Sequence, residues 1–86
     1  MPELSRFFGI VIAMYHNDHA PPHFHARYGE YRAKFNILTG EKIDGKMPPR
    51  VLALVREWRE IHVQELVVDW QLSQNRQPPL GIAPLE

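Results

Sequence analysis

One stretch in the middle of the 86-residue chain constrains the fold most, because it predicts a β-hairpin together with its register. Residues 23–28 and 31–38 flank Gly29-Glu30, and a glycine at the first central position suits a two-residue type II′ turn. Counting outward from this turn pairs Tyr28 with Tyr31 and His23 with Asn36. A slip of one residue would send every side chain to the opposite face, so the alternation specifies the pairing.

The two faces of this hairpin differ sharply in chemistry, because side chains alternate along a strand. One face is expected to pack on a core, and it carries Tyr28, Tyr31, Ala26, Ala33, Phe24 and Phe35. The other is expected to be cationic and open to solvent, and it carries His23, His25, Arg27, Arg32, Lys34 and Asn36.

Further strands are predicted on both sides of the hairpin. Residues 6–15 are almost entirely apolar, with β-branched and aromatic side chains, which indicates one strand buried on both faces. Downstream, Thr39-Gly40 and Asp44-Gly45 are turn signals around residues 41–43, which predict a short edge strand or a loop.

The C-terminal half predicts helix. Pro48-Pro49 can open a helix, because proline is tolerated in the first turn. Apolar residues then recur at helical spacing, namely Val51, Leu54, Val55, Trp58 and Ile61. The next apolar residues lie on a rotated face, so a bend or break is expected near His62-Val63. Residues 75–86 are expected to form a tail with little structure of its own.

These elements predict a single α+β domain spanning residues 1–86. Its strands, within about 6–46, form a small antiparallel sheet of three or four strands. One or two C-terminal helices, within about 49–74, cover the apolar face of the sheet, and an extended tail follows over 75–86.

Composition narrows the class of function. Apolar residues make up 44% and charged residues 23%, as in ordinary globular domains. Ten Lys and Arg balance ten Asp and Glu, which argues against bulk electrostatic binding to DNA or to an anionic membrane. The absence of Cys excludes disulfides and thiolate metal sites. No signal peptide or membrane span is indicated, so a cytoplasmic location is expected.

A histidine cluster is the main candidate site, because four of the five histidines lie within residues 16–25. Imidazoles titrate near neutrality and can supply the acid and the base that RNA cleavage needs. This hypothesis makes His23, His25 and His19 the catalytic candidates. The candidates for substrate binding are Arg27, Arg32 and Lys34, which would hold phosphate, together with Asp18.

Two other classes of function fit the same residues. The first is a module that binds zinc or another transition metal through His19, His23 and His25, although the neighbouring cations oppose a divalent ion. In the RNA hypothesis, by contrast, no cofactor is required. The second is a non-catalytic interaction domain that uses the cationic face and the helices. A homodimer is a further expectation for a chain this small, since a second chain would help to bury Trp58 or Trp70 fully.

The sequence resembles DUF4160, a bacterial domain of unknown function. The likeness rests on the N-terminal string at 5–12, on Met14-Tyr15, on the string from Asn17 to His25, and on Arg-Tyr-Gly-Glu-Tyr at 27–31. Later positions, from 52 to Trp70, fit as well. The resemblance implies a small accessory protein encoded beside a second small protein, in an arrangement similar to a toxin–antitoxin pair. An antitoxin-like partner is therefore expected, with this chain as the toxin-type effector.

Overall fold

A computed structural model describes residues 3–86 and shows an antiparallel sheet followed by a helix. The strands are β1 (Glu3–Phe7), β2 (Ile10–Ala13), β3 (His23–Tyr28), β4 (Tyr31–Asn36) and β5 (Lys42–Gly45), and the helix is α1 (Pro49–Gln74). The strands lie in the sheet in chain order. The α+β class is therefore confirmed, but the sheet has five strands rather than the three or four expected.

The predicted central hairpin is confirmed in its register. Tyr28 pairs with Tyr31 and His23 pairs with Asn36. Gly29 has φ +58°, as a type II′ turn requires at its first central position. Tyr28 and Tyr31 were expected to pack on the core, but both are exposed. They flank the turn at the end of the hairpin and extend beyond the core.

The additional strand arises because residues 6–15 form part of a second hairpin instead of one strand. Phe8 and Gly9 both have positive φ, 49° and 79°, which is the pattern of a type I′ turn. The sequence lacks the Asn-Gly or Asp-Gly pair that usually signals this turn, and the prediction of one continuous strand was therefore wrong. A Cβ at Gly9 would lie 3.3 Å from the Tyr28 ring, so the turn packs closely on β3.

Helix α1 begins at Pro49 and has non-helical backbone at His62 (φ −115°, ψ 21°), where the change in apolar stripe predicts a bend or break. The segment after His62 reaches the connection between β2 and β3, because Gln74 donates a hydrogen bond to the Asp18 carbonyl oxygen. Within residues 3–86, no helix has the length and apolarity needed to cross a membrane.

The core lies between one face of the sheet and α1. Trp58 is fully buried and packs against Phe7 and Phe24. Its indole nitrogen donates to the Ala83 carbonyl oxygen at 2.9 Å. Residues 75–86 have no regular secondary structure, yet Ile82 is buried and its N–H bonds to β1. Because Trp58 is buried within one chain, its burial does not require a dimer.

Candidate functional site

Three of the predicted side chains converge where the β2–β3 connection meets β3. We call Asp18, His23 and His25 the Asp–His–His cluster. His23 and His25 lie two residues apart on β3 and share a face, whereas Asp18 comes from the connection. Its Oδ2 lies 2.9 Å from His25 Nε2 and 3.2 Å from His23 Nε2. Each residue offers one atom that could ligate a metal ion, and these three atoms lie within 4.8 Å of one another.

The imidazole of His23 is buried and oriented by the backbone. Its Nδ1 lies 2.8 Å from the Pro21 carbonyl oxygen. A carbonyl oxygen can only accept a hydrogen bond, so Nδ1 carries the proton. In the neutral ring Nε2 therefore presents a lone pair. That nitrogen is buried without a hydrogen-bond partner and faces the Asp18 carboxylate.

Aromatic residues enclose the cluster. Trp70 of α1 lies against His23, with ring centroids 5.3 Å apart. Tyr15 meets the ring of His25 edge-on, at 4.7 Å between centroids. Such packing limits the rotation of the two imidazoles and reduces the access of water to them.

The structure separates the remaining predicted residues. His19 is exposed and lies outside the cluster. Arg27, Arg32 and Lys34 line an open cavity of about 240 Å³ together with His25. We call this cavity the cationic groove. Asp18 does not line the groove, and His23 is buried instead of open, because Trp70 covers it.

The cations of the groove make no direct ion pair within the described residues. Arg27, Arg32 and Lys34 form no ion pair with any carboxylate of residues 3–86. Asp44 also lines the groove, opposite Lys34 in the sheet, and its carboxylate offsets part of the positive charge there. Its Oδ1 accepts the N–H of Gly45.

Glu3 lies on the neighbouring edge strand β1. The hydrogen bond from Arg6 holds the pKa of Glu3 below its usual value, with smaller contributions from the charges of Arg6 and Arg27. This carboxylate makes its direct ion pair with Arg6 and makes none with the cations of the groove.

Two residues that contribute to the site were not predicted from the sequence. Trp70 was considered in connection with a homodimer, and no sequence signal indicates that it covers His23. Asp44 was treated only as a turn residue. Its pairing with Lys34 requires the register of β4 with β5, which includes an irregularity that a sequence pattern does not show.

Comparison with known proteins identifies a family. The profile described as Domain of unknown function (DUF4160) matches residues 9–71. This segment contains the whole Asp–His–His cluster and all three cations of the groove. No curated protein and no solved structure matches the chain. Since the matched segment covers more than half of the sequence, the chain belongs to the DUF4160 family.

Proposed function

We propose that the protein is a metal-binding domain in which Asp18, His23 and His25 hold one divalent transition-metal ion. Two imidazoles and one carboxylate suit zinc, iron, cobalt or nickel. Ligand atoms about 2.1 Å from a common ion lie about 3.0–3.4 Å apart at octahedral or tetrahedral angles. The distances of 2.9 and 3.2 Å within the cluster are close to that range.

The unpartnered Nε2 of His23 carries this proposal. When the His23 ring is neutral, its buried Nε2 lone pair faces a carboxylate, and neither group can donate a hydrogen bond to the other. A cation between them removes the repulsion and satisfies both. The bond from Nδ1 to the Pro21 carbonyl is the outer contact that metal-bound histidines usually make. Three protein ligands leave at least one coordination position for water or substrate.

Metal titration of tag-free protein tests the proposal. Isothermal titration with Zn²⁺ and Co²⁺, together with elemental analysis, should give one ion per chain. His25→Ala and Asp18→Asn should each weaken binding at least 100-fold. His19→Ala is the matched control, because His19 is an exposed imidazole on the same connection. Failure of the parent protein to bind, or equal affinity in His25→Ala and His19→Ala, would contradict the proposal.

A second candidate is cleavage of RNA by histidine acid–base chemistry, in the manner of a toxin-type effector. It is favoured by the position of His25, which lines the cationic groove and contacts Asp18. A base would take the proton of a 2′-hydroxyl whose oxygen attacks the phosphorus, and an acid would protonate the departing 5′-oxygen. His25 is the accessible imidazole of the cluster, and His19 is an exposed candidate for the second role.

The two candidates differ in their dependence on metal. RNA cleavage that persists in excess chelator and disappears in His25→Ala would support the second candidate. Arrest of growth on expression, abolished by the same substitution, would support the effector role. Cleavage that is lost with chelator and restored by Zn²⁺ or Co²⁺ would instead assign the chemistry to the metal.

A further inference from the structure

The open face of the sheet places like charges directly opposite one another. Arg27 on β3 pairs with Arg32 on β4, whereas Lys34 lies between His25 on β3 and the carboxylate of Asp44 on β5. Like charges at opposed positions destabilise a sheet. No carboxylate of residues 3–86 forms an ion pair with these cations. The opposed arginines therefore have an energetic cost that no direct ion pair of residues 3–86 offsets.

A cavity forms in the cationic groove because small residues make up its floor. Val11 and Ala13 on β2 and Gly45 on β5 line it, and these small residues leave space beside the long cationic side chains of β3 and β4. The resulting cavity, about 240 Å³, is smaller than the roughly 300–1,000 Å³ of ordinary small-molecule sites. It suits one charged group and its immediate surroundings.

The charges of the groove favour a phosphate ester as its ligand. Guanidinium groups present fork-shaped donors that match phosphate oxygens, and two of them lie opposite each other here. Lys34 adds a third cation. The aromatic ring of Tyr15 borders the same cavity and offers a surface on which a base can stack.

We propose that the cationic groove binds the phosphate group of a ribonucleotide, either free or within an RNA strand. This inference rests on the proposed metal function, and it names the substrate class of that site. His25 connects the cationic groove to the Asp–His–His cluster, because its Nε2 belongs to the cluster while the residue also lines the groove. A phosphate in the groove and a metal in the cluster would both adjoin His25, so each ligand would strengthen the binding of the other.

Binding measurements on metal-loaded protein test this inference. The probes are inorganic phosphate, adenosine 5′-monophosphate and a single-stranded oligoribonucleotide. Arg27→Gln and Arg32→Gln should each weaken binding at least tenfold. Arg50→Gln is the control, because Arg50 is an exposed cation at the start of α1, outside the groove. Tighter binding of the oligoribonucleotide than of the monophosphate would assign the site to RNA, and equal affinities would assign it to a free nucleotide.

Elemental analysis of the same samples separates failure of this inference from failure of the metal proposal. If metal binds but no probe does, or if Arg27→Gln and Arg50→Gln bind the probes equally, the phosphate site is wrong and the metal site stands. If the probes bind as predicted to protein that takes up no metal, the groove stands and the metal proposal falls. Equal phosphate affinity with and without bound metal would overturn the coupling.

Discussion

The indole ring of Trp70 lies against the imidazole of His23, with 5.3 Å between ring centroids, and joins α1 to the Asp–His–His cluster. Trp70→Ala should weaken metal binding about tenfold, since loss of outer contacts usually costs 10–100-fold in affinity. Trp70→Phe keeps an aromatic ring and should bind metal within about threefold of the parent. Isothermal titration measures both, and an unchanged affinity in Trp70→Ala would show that the packing does not matter.

Gly45 on β5 allows the edge strand to approach β4. It has φ +90°, and a Cβ there would collide with the Arg32 carbonyl oxygen and lie 2.7 Å from the Ala33 Cα. Gly45→Ala should therefore lower the free energy of unfolding by about 3 kcal/mol. Gly29→Ala is the matched control, because Gly29 has φ +58° but open space around it, and the cost should be about 1 kcal/mol. Urea unfolding that gives equal costs would contradict the collision.

The C-terminal segment should contribute to stability although it has no regular secondary structure. Ile82 is 7% exposed, and Ile82→Ala should cost about 2–3 kcal/mol through lost burial and the cavity left behind. Leu80 is 63% exposed, so Leu80→Ala should change stability by less than about 0.5 kcal/mol. Comparable unfolding midpoints for the two variants would show that the segment does not pack on the core.

The contrast between the two hairpins shows what the sequence could predict. The β3–β4 register was predictable because one face is apolar and the other polar, so a single pairing satisfies both. The β1–β2 turn was not, because it lies within an apolar run and uses Phe8 in a left-handed conformation that few non-glycine residues adopt.

The candidate site, like the two hairpins, was predictable from the sequence only in part. Alternation along β3 placed His23 and His25 on one face from the sequence alone. The position of Asp18 depends on the path of an irregular connection, and that of Trp70 on how α1 continues past His62. Both depend on long-range packing, which local patterns do not encode.

Repulsion between Arg27 and Arg32 should be measurable as lost stability. Arg32→Glu places a carboxylate opposite Arg27, and the free energy of unfolding should rise by about 0.5–1 kcal/mol. The same variant should lose binding of nucleotide phosphate. Arg32→Gln should give a smaller gain in stability. Thermal unfolding at low salt measures the gain, and a loss of stability in Arg32→Glu would show that the arginines do not repel.

Ionisation of Asp69 should lower the free energy of unfolding as the pH rises, whereas a carboxylate with a lowered pKa has the opposite effect. It is buried in α1, and burial raises its pKa above the ordinary value of 3.8, with a further increase from Glu65 and an opposing effect of the hydrogen bond from the Leu80 N–H. The folded state therefore binds this proton more tightly than the unfolded state. The resulting stability is present below pH 3.8 and is lost as the pH rises through the folded pKa.

Asp69→Asn removes that titration and keeps an oxygen to accept the Leu80 N–H. The difference in unfolding free energy between variant and parent should therefore shift in favour of the variant as the pH rises from about 3.8 towards neutrality. Urea unfolding at a series of pH values gives both curves. The contributions of carboxylates remote from Asp69 cancel in this difference. Parallel curves would mean that folding does not raise its pKa.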